Sequence, residues 1–163
     1  MSFDQVSCLE SFGPTPNHSF KRTAPRGTGF NPHFSYIMKR IIRTPSAAAM
    51  YNPVSQATVA ANGMFYTAGM IGRSPESGEM LPSFAEQAHQ ALRNLGALLQ
   101  EAGGGYEDVM FVQLYLLDIA VIEQFNEIFK TYFPAEPPAR AVCQPLKLYP
   151  GALVMFTAVA CVA

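Results

Sequence analysis

Ser55-Gln56-Ala57-Thr58-Val59-Ala60-Ala61 and Met64-Phe65-Tyr66-Thr67-Ala68-Gly69-Met70-Ile71 flank the dipeptide Asn62-Gly63. Two apolar-rich runs around Asn-Gly read as a β-hairpin, because that dipeptide readily adopts the positive φ angles of a two-residue type I′ turn. Upstream, residues 38–43 read as a short opening strand. Downstream, the polar, turn-rich stretch 73–82 leads to a helix with strong local signals. Ser83 and Glu86 form a capping box, in which the serine oxygen accepts from a free backbone N–H and the glutamate reaches back. Phe84, Ala88, Ala91, Leu92, Leu95, Leu98 and Ala102 then recur on one face, and Gly103 begins a three-glycine stop suited to a left-handed cap.

Residues 109–117 are nearly all apolar and too short for a core helix, so they read as a buried central strand. Asp118 can cap a second helix whose face is Ile122, Phe125, Phe129 and Tyr132, ended by Pro134, Pro137 and Pro138. Two more strands follow at 140–146 and 153–162, separated by Tyr149-Pro150-Gly151. The expected order is β-β-β-α-β-α-β-β, an α+β domain with a mixed sheet and both helices on one face. The last strand carries no charge on either side. A lone domain would leave its second face as a sticky patch, so a closed homo-oligomer is expected.

The chain has 163 residues, of which 49 % are hydrophobic, enough for one domain with a sizeable core. No apolar run reaches the ~18 residues of a membrane helix, so no membrane span is expected. Cys8, Cys143 and Cys161 lack a C-x-x-C spacing, and His18, His33 and His89 lie far apart. That pattern supports neither a disulfide scaffold nor a metal site, and no cofactor is expected.

Residues 1–37 read as a basic arm outside the domain of residues 38–163. The first 50 residues carry Lys21, Arg22, Arg26, Lys39, Arg40 and Arg43 against Asp4 and Glu10, while the remainder is net acidic. The arm is rich in Gly, Pro, Ser, Thr and Asn, with Phe12, Phe20 and Phe30 spaced through it, and cannot build a core of its own. Two readings stay open: ordinary tail solvation, or docking on an acidic protein assembly. The chain has no secretory h-region, and its prolines oppose a mitochondrial presequence. A cytoplasmic location is expected, with a mitochondrial location or incorporation in a cytoskeletal assembly as alternatives.

The pieces Asn52-Pro53-Val54-Ser55-Gln56-Ala57, Asn62-Gly63-Met64-Phe65-Tyr66-Thr67-Ala68-Gly69, Glu86-Gln87-Ala88, Asn94-Leu95, Phe125-Asn126, Pro138-Ala139-Arg140, Tyr149-Pro150-Gly151-Ala152 and Ala158-Val159-Ala160 occur in this order. Together they resemble the RidA (YjgF/YER/UK) family over about residues 41–162. The resemblance implies a chorismate-mutase-like fold in a homotrimer, with three sheets closing a barrel and a ligand cleft at each subunit boundary. It also implies hydrolysis of 2-imino acids to 2-keto acids and ammonia, without cofactor or metal. RNA cleavage, also associated with the family, is not favoured for a net acidic domain with no basic aromatic stripe, and no nucleic-acid partner is expected.

On that resemblance, Arg140 grips the substrate carboxylate, a task suited to a planar, bidentate guanidinium. Asn126 and Tyr149 match or serve as cleft-lining residues. The departures are as informative. The family's strand glutamate aligns with Met155, and Thr157 occupies the neighbouring alternate position and could hold a water. The hairpin serine aligns with Ala68. The family's aromatic hydroxyl aligns with Val54, with Tyr51 near enough to substitute, and its cysteine with Val142. Methionine cannot take a proton, so weakened activity is expected. The alternative is a degenerate trimeric scaffold or small-carboxylate binding module anchored by its arm.

Overall fold

The computed structural model describes residues 39–51 and 53–162. The basic arm and its expected docking role lie outside the described residues, as do Met38 and Asn52.

Seven strands form one mixed sheet: β1 (Lys39–Ile42), β2 (Ala57–Ala60), β3 (Met64–Thr67), β4 (Met70–Ile71), β5 (Val109–Leu116), β6 (Ala139–Cys143) and β7 (Val154–Cys161). Their order is β1-β2-β3-β7-β5-β6, with β4 also paired to β7. Only β5 and β6 are parallel; the other pairs are antiparallel. The helices are α1 (Phe84–Ala102) and α2 (Ile122–Tyr132). The expected α+β class holds, and so does the element order except that the strand expected over 64–71 is split into β3 and β4.

The hairpin turn differs from the expectation. Val59 pairs with Phe65, and the Gly63 N–H donates to the Ala60 carbonyl at 3.0 Å. Gly63 has φ 84°, but Asn62 is not in the positive-φ region. The connection is therefore a three-residue loop closed by one left-handed glycine, not a two-residue type I′ turn. A side chain at Gly63 would also meet the Val162 carbonyl, since a Cβ there would lie 2.5 Å from that oxygen.

The run expected as one strand over 64–71 is interrupted at Ala68-Gly69. Its first part pairs with β2, and its second part, β4, pairs with β7. The Met155 side chain packs against this break: its Sδ would lie 2.8 Å from a Cβ at Gly69.

The α1 capping box forms as the sequence indicates: Glu86 N–H donates to Ser83 Oγ at 3.3 Å, and Ser83 N–H to Glu86 Oε2 at 3.1 Å. Gly103 caps the far end at φ 93°. Asp118 accepts from Ala120 N–H at 2.9 Å, but it caps a short 3₁₀ turn, Ile119–Val121, that runs on into α2. The expectation that Asp118 caps the second helix directly is corrected by one turn.

Both helices pack on one face of the sheet. Leu92, Leu95, Leu98 and Leu99 of α1 and Phe125 and Phe129 of α2 join Val112, Leu114, Phe156 and Ala158 in a continuous core. Each fully buried Leu or Phe side chain contributes about 1.5–3 kcal/mol. On the opposite face, cross-strand pairs place Phe111 by Val159, Gln113 by Thr157 and Tyr115 by Met155, all half-buried. That face is largely apolar, but Gln113 and Thr157 put polar groups at its middle. No helix among the described residues is long and apolar enough to cross a membrane.

Candidate functional site

Arg140 lies on edge strand β6 opposite Val112, so its side chain leaves the sheet on the helix side. There the guanidinium stacks over the rings of Phe125 (5.5 Å) and Phe129 (5.0 Å), and its Nη2 donates to Asn126 Oδ1. Asn126 in turn donates to Glu123 Oε2 at 3.4 Å, one turn earlier on α2. Burial pushes the Arg140 guanidinium below its ordinary value, with Glu123 offsetting part of that shift. A cation in this setting gains from an incoming anion. Its remaining N–H groups have no partner among the described residues. They border a hollow of about 300 Å³ lined also by Lys130, Pro137 and Pro138.

A second cavity, of about 280 Å³, lies elsewhere in the protomer and is lined by Tyr51, Ala68, Gly69, Arg73, Tyr149 and Met155 among others. Tyr51 and Tyr149 stack at 5.5 Å, and the Arg73 guanidinium lies 4.8 Å over the Tyr51 ring. The Tyr149 hydroxyl is raised above its ordinary value, chiefly by the Tyr51 hydroxyl beside it.

The backbone of this cavity is pinned by three buried amides. Gln56 accepts from Thr44 N–H and donates to the Thr44, Ala47 and Ala48 carbonyls, at 2.8–3.1 Å. Gln87 donates to Leu81 and Gly151 and accepts from Leu153 N–H, fixing the turn that carries Tyr149. Asn94 bridges Ala48 to the Ile71 and Arg73 carbonyls. A polar side chain is buried only where its hydrogen bonds are met, and these are met mostly by loop backbone. The Gln56, Gln87 and Asn94 pieces of the sequence pattern are thus scaffolding for this cavity.

Within one protomer the expected site residues therefore divide. Arg140 and Asn126 stand together on the helix side, while Tyr51, Ala68 and Tyr149 stand together with Met155 around the second cavity. Met155 and Tyr115 share the opposite sheet face from Arg140. Thr157 is half-buried on that open face beside Gln113 and lines neither hollow. Its neighbour Ala158 donates its N–H to Thr67 Oγ1 at 2.9 Å, which ties β7 to β3 at this point. Arg73 was not legible as a site residue, since it sits in a turn-rich stretch without period or motif. Among the described residues, no group of three or more His, Cys, Asp or Glu side chains is gathered as a metal would need.

The Endoribonuclease L-PSP family matches residues 41–162, the described domain almost end to end. The chain belongs to this family, the RidA family. It is 39 % identical over 127 residues to a 2-iminobutanoate/2-iminopropanoate deaminase of Rattus norvegicus, covering 77 % of this chain and 92 % of that protein. The Homo sapiens protein of the same name is 38 % identical over the same length, with the same two coverages. Among solved structures, RidA from the Antarctic bacterium Psychrobacter superposes with a TM-score of 0.73 at 31 % identity, covering 76 % of this chain and 99 % of that one. E. coli TdcF with bound serine gives 0.72 at 27 %, with the same coverages. The RidA fold expected from the motif order is the fold of this chain.

Proposed function

We propose that the protein is a RidA-type deaminase that hydrolyses 2-imino acids to 2-keto acids and ammonia, with weakened turnover. A homotrimer is part of this reading, because Arg140 and Met155 lie on opposite faces of one sheet. Packing the open face of one copy against the edge strand of the next makes one cleft from the two halves. The largely apolar open face supports such packing.

Arg140 holds the substrate carboxylate through the N–H groups not committed to Asn126, and the phenylalanine rings keep its plane fixed. Water adds to the imine carbon and the nitrogen takes protons. The C–N bond then breaks, ammonia leaves, and the water oxygen remains as the keto group. Met155 and Ala68 supply no proton acceptor, so the water is oriented by backbone groups of the cavity, which are poor bases. The observation that carries the reading is Arg140, a desolvated, oriented guanidinium with donors to spare.

The apolar character of Met155 and Ala68 also favours a second reading, a module that binds a small 2-keto or 2-imino acid without turning it over. Ammonia release from enzymatically generated 2-iminobutyrate, above the spontaneous rate, separates the two. The deaminase reading expects a rate that Arg140→Ala abolishes. Equal release with and without Arg140 overturns it, and binding without release leaves the second reading.

A further inference from the structure

The cavity beside Met155 holds a cation that the reaction described above does not use. Arg73 is half-buried and braced: its Nε donates to the Gly78 carbonyl at 2.8 Å and its Nη1 to the Ala49 carbonyl at 3.3 Å. The Tyr51 ring covers one face of the guanidinium at 4.8 Å. Two hydrogen bonds and a stacked ring fix its plane, so little conformational entropy remains to be lost on binding a ligand.

Among the described residues no Asp or Glu lies within ion-pair distance of Arg73, and the single ion pair there is Lys130–Glu127 on α2. Its Nη2 has no hydrogen-bond partner among the described residues. Among the described residues the cavity contributes no acidic side chain, and apart from Arg73 it has only apolar walls, Asn94 and the two tyrosines. Asn94 is already committed to Ala48, Ile71, Arg73 and Gln90 backbone and side-chain groups. A half-buried guanidinium in an apolar hollow is costly to close over unless a carboxylate arrives to pair with it.

Resting on the deaminase reading, we infer that Arg73 is a specificity-determining residue that selects 2-imino acids bearing a second carboxylate on the side chain. Arg140 takes the carboxylate next to the imine. The side chain runs into the cavity past Ala68, Gly69 and Met155, and its terminal carboxylate meets Arg73. Loss of the polar groups at Met155 and Ala68 then has a second consequence: the walls suit the methylenes of such a side chain. A short monocarboxylic imine leaves Arg73 unpaired as the cleft closes, whereas a four- or five-carbon dicarboxylic one does not. A site built to pair a charged group discriminates strongly against ligands that lack it.

The test is titration calorimetry on the full chain with two stable keto acid products, 2-oxobutyrate and 2-oxoglutarate, in wild type, Arg73→Met and Arg140→Ala. The expected result is that 2-oxoglutarate binds about tenfold tighter or more. Arg73→Met should erase that preference while leaving 2-oxobutyrate within about twofold, and Arg140→Ala should weaken both. Arg73→Gln, which keeps donors for the Gly78 or Ala49 carbonyl but removes the charge, replaces Arg73→Met if that variant melts early. Equal affinities in wild type overturn the inference, as does an equal loss for both ligands in the Arg73 variants, which would make Arg73 a structural brace. If 2-oxobutyrate binds through Arg140 but 2-oxoglutarate has no advantage, the Arg73 inference alone falls. If neither binds, the deaminase reading falls with it.

Discussion

Arg140 is fixed by side chains, a hydrogen bond to Asn126 and two phenylalanine rings, on a strand at the edge of the sheet. The cavity around Met155 is framed instead by buried amides, Gln56, Gln87 and Asn94, which bond to loop backbone and tie the loops together. The difference shows where change is tolerated. In the proposed reaction the plane of the Arg140 guanidinium sets how the carboxylate is held, so its replacement is expected to cost function. The Ala68 and Met155 side chains take no part in those amide hydrogen bonds, so exchanging them is expected to leave the frame of the cavity in place.

The largest effect is expected at Gln87. Gln87→Leu strands the Leu81 and Gly151 carbonyls and the Leu153 N–H, at about 1–3 kcal/mol for each buried group. A stability loss of about 4 kcal/mol in urea unfolding is expected, and a loss below about 1 kcal/mol would mean that the cavity is not held by this amide. Next comes Arg140→Ala, expected to lower ammonia release by about 10²-fold while unfolding stability falls by about 1 kcal/mol. A large stability loss with unchanged release would reverse the roles assigned to the two regions. Met155→Glu combined with Ala68→Ser should raise turnover about tenfold, since it returns a proton acceptor to a cavity whose frame is intact. An unchanged rate would place the decay beyond these two walls. The smallest effect is Asn126→Ala, expected to raise KM about threefold by loosening Arg140, with kcat nearly unchanged.

Much of the fold was legible because its signals are local. The Ser83–Glu86 box, the apolar face of α1 and the uncharged run of β7 each specify their element through short-range physics. Asn62-Gly63 marked the hairpin but not its loop length, because a left-handed glycine serves a three-residue loop as well as a two-residue one. The break at Ala68-Gly69 was hidden for a similar reason: each half of the run is a good strand, and only pairing with β7 separates them. Asp118 signalled a helix start, and its capping reach is the same for a 3₁₀ turn as for an α-helix.

The site was legible in part. Arg140 and Asn126 do meet, and Tyr51, Ala68 and Tyr149 do share a cavity with Met155, but sequence order carries no information on which face of a sheet each group occupies. Thr157 illustrates this, standing beside Gln113 and away from both hollows. Arg73 was invisible for another reason: its place in the cavity depends on the Asn94 side chain, which holds the Arg73 carbonyl from a helix twenty-one residues away.

A working cleft shared between copies, with Arg140 from one and the Met155 cavity from the next, is tested most directly by co-expressing two impaired variants, Arg140→Ala and Ala68→Phe, the latter filling the cavity. In randomly mixed closed trimers about one quarter of the clefts combine an intact arginine with an intact cavity. The account predicts that mixed assemblies recover about one quarter of wild-type ammonia release while each variant alone stays near the spontaneous rate. Mixed assemblies no more active than the separate variants would contradict it.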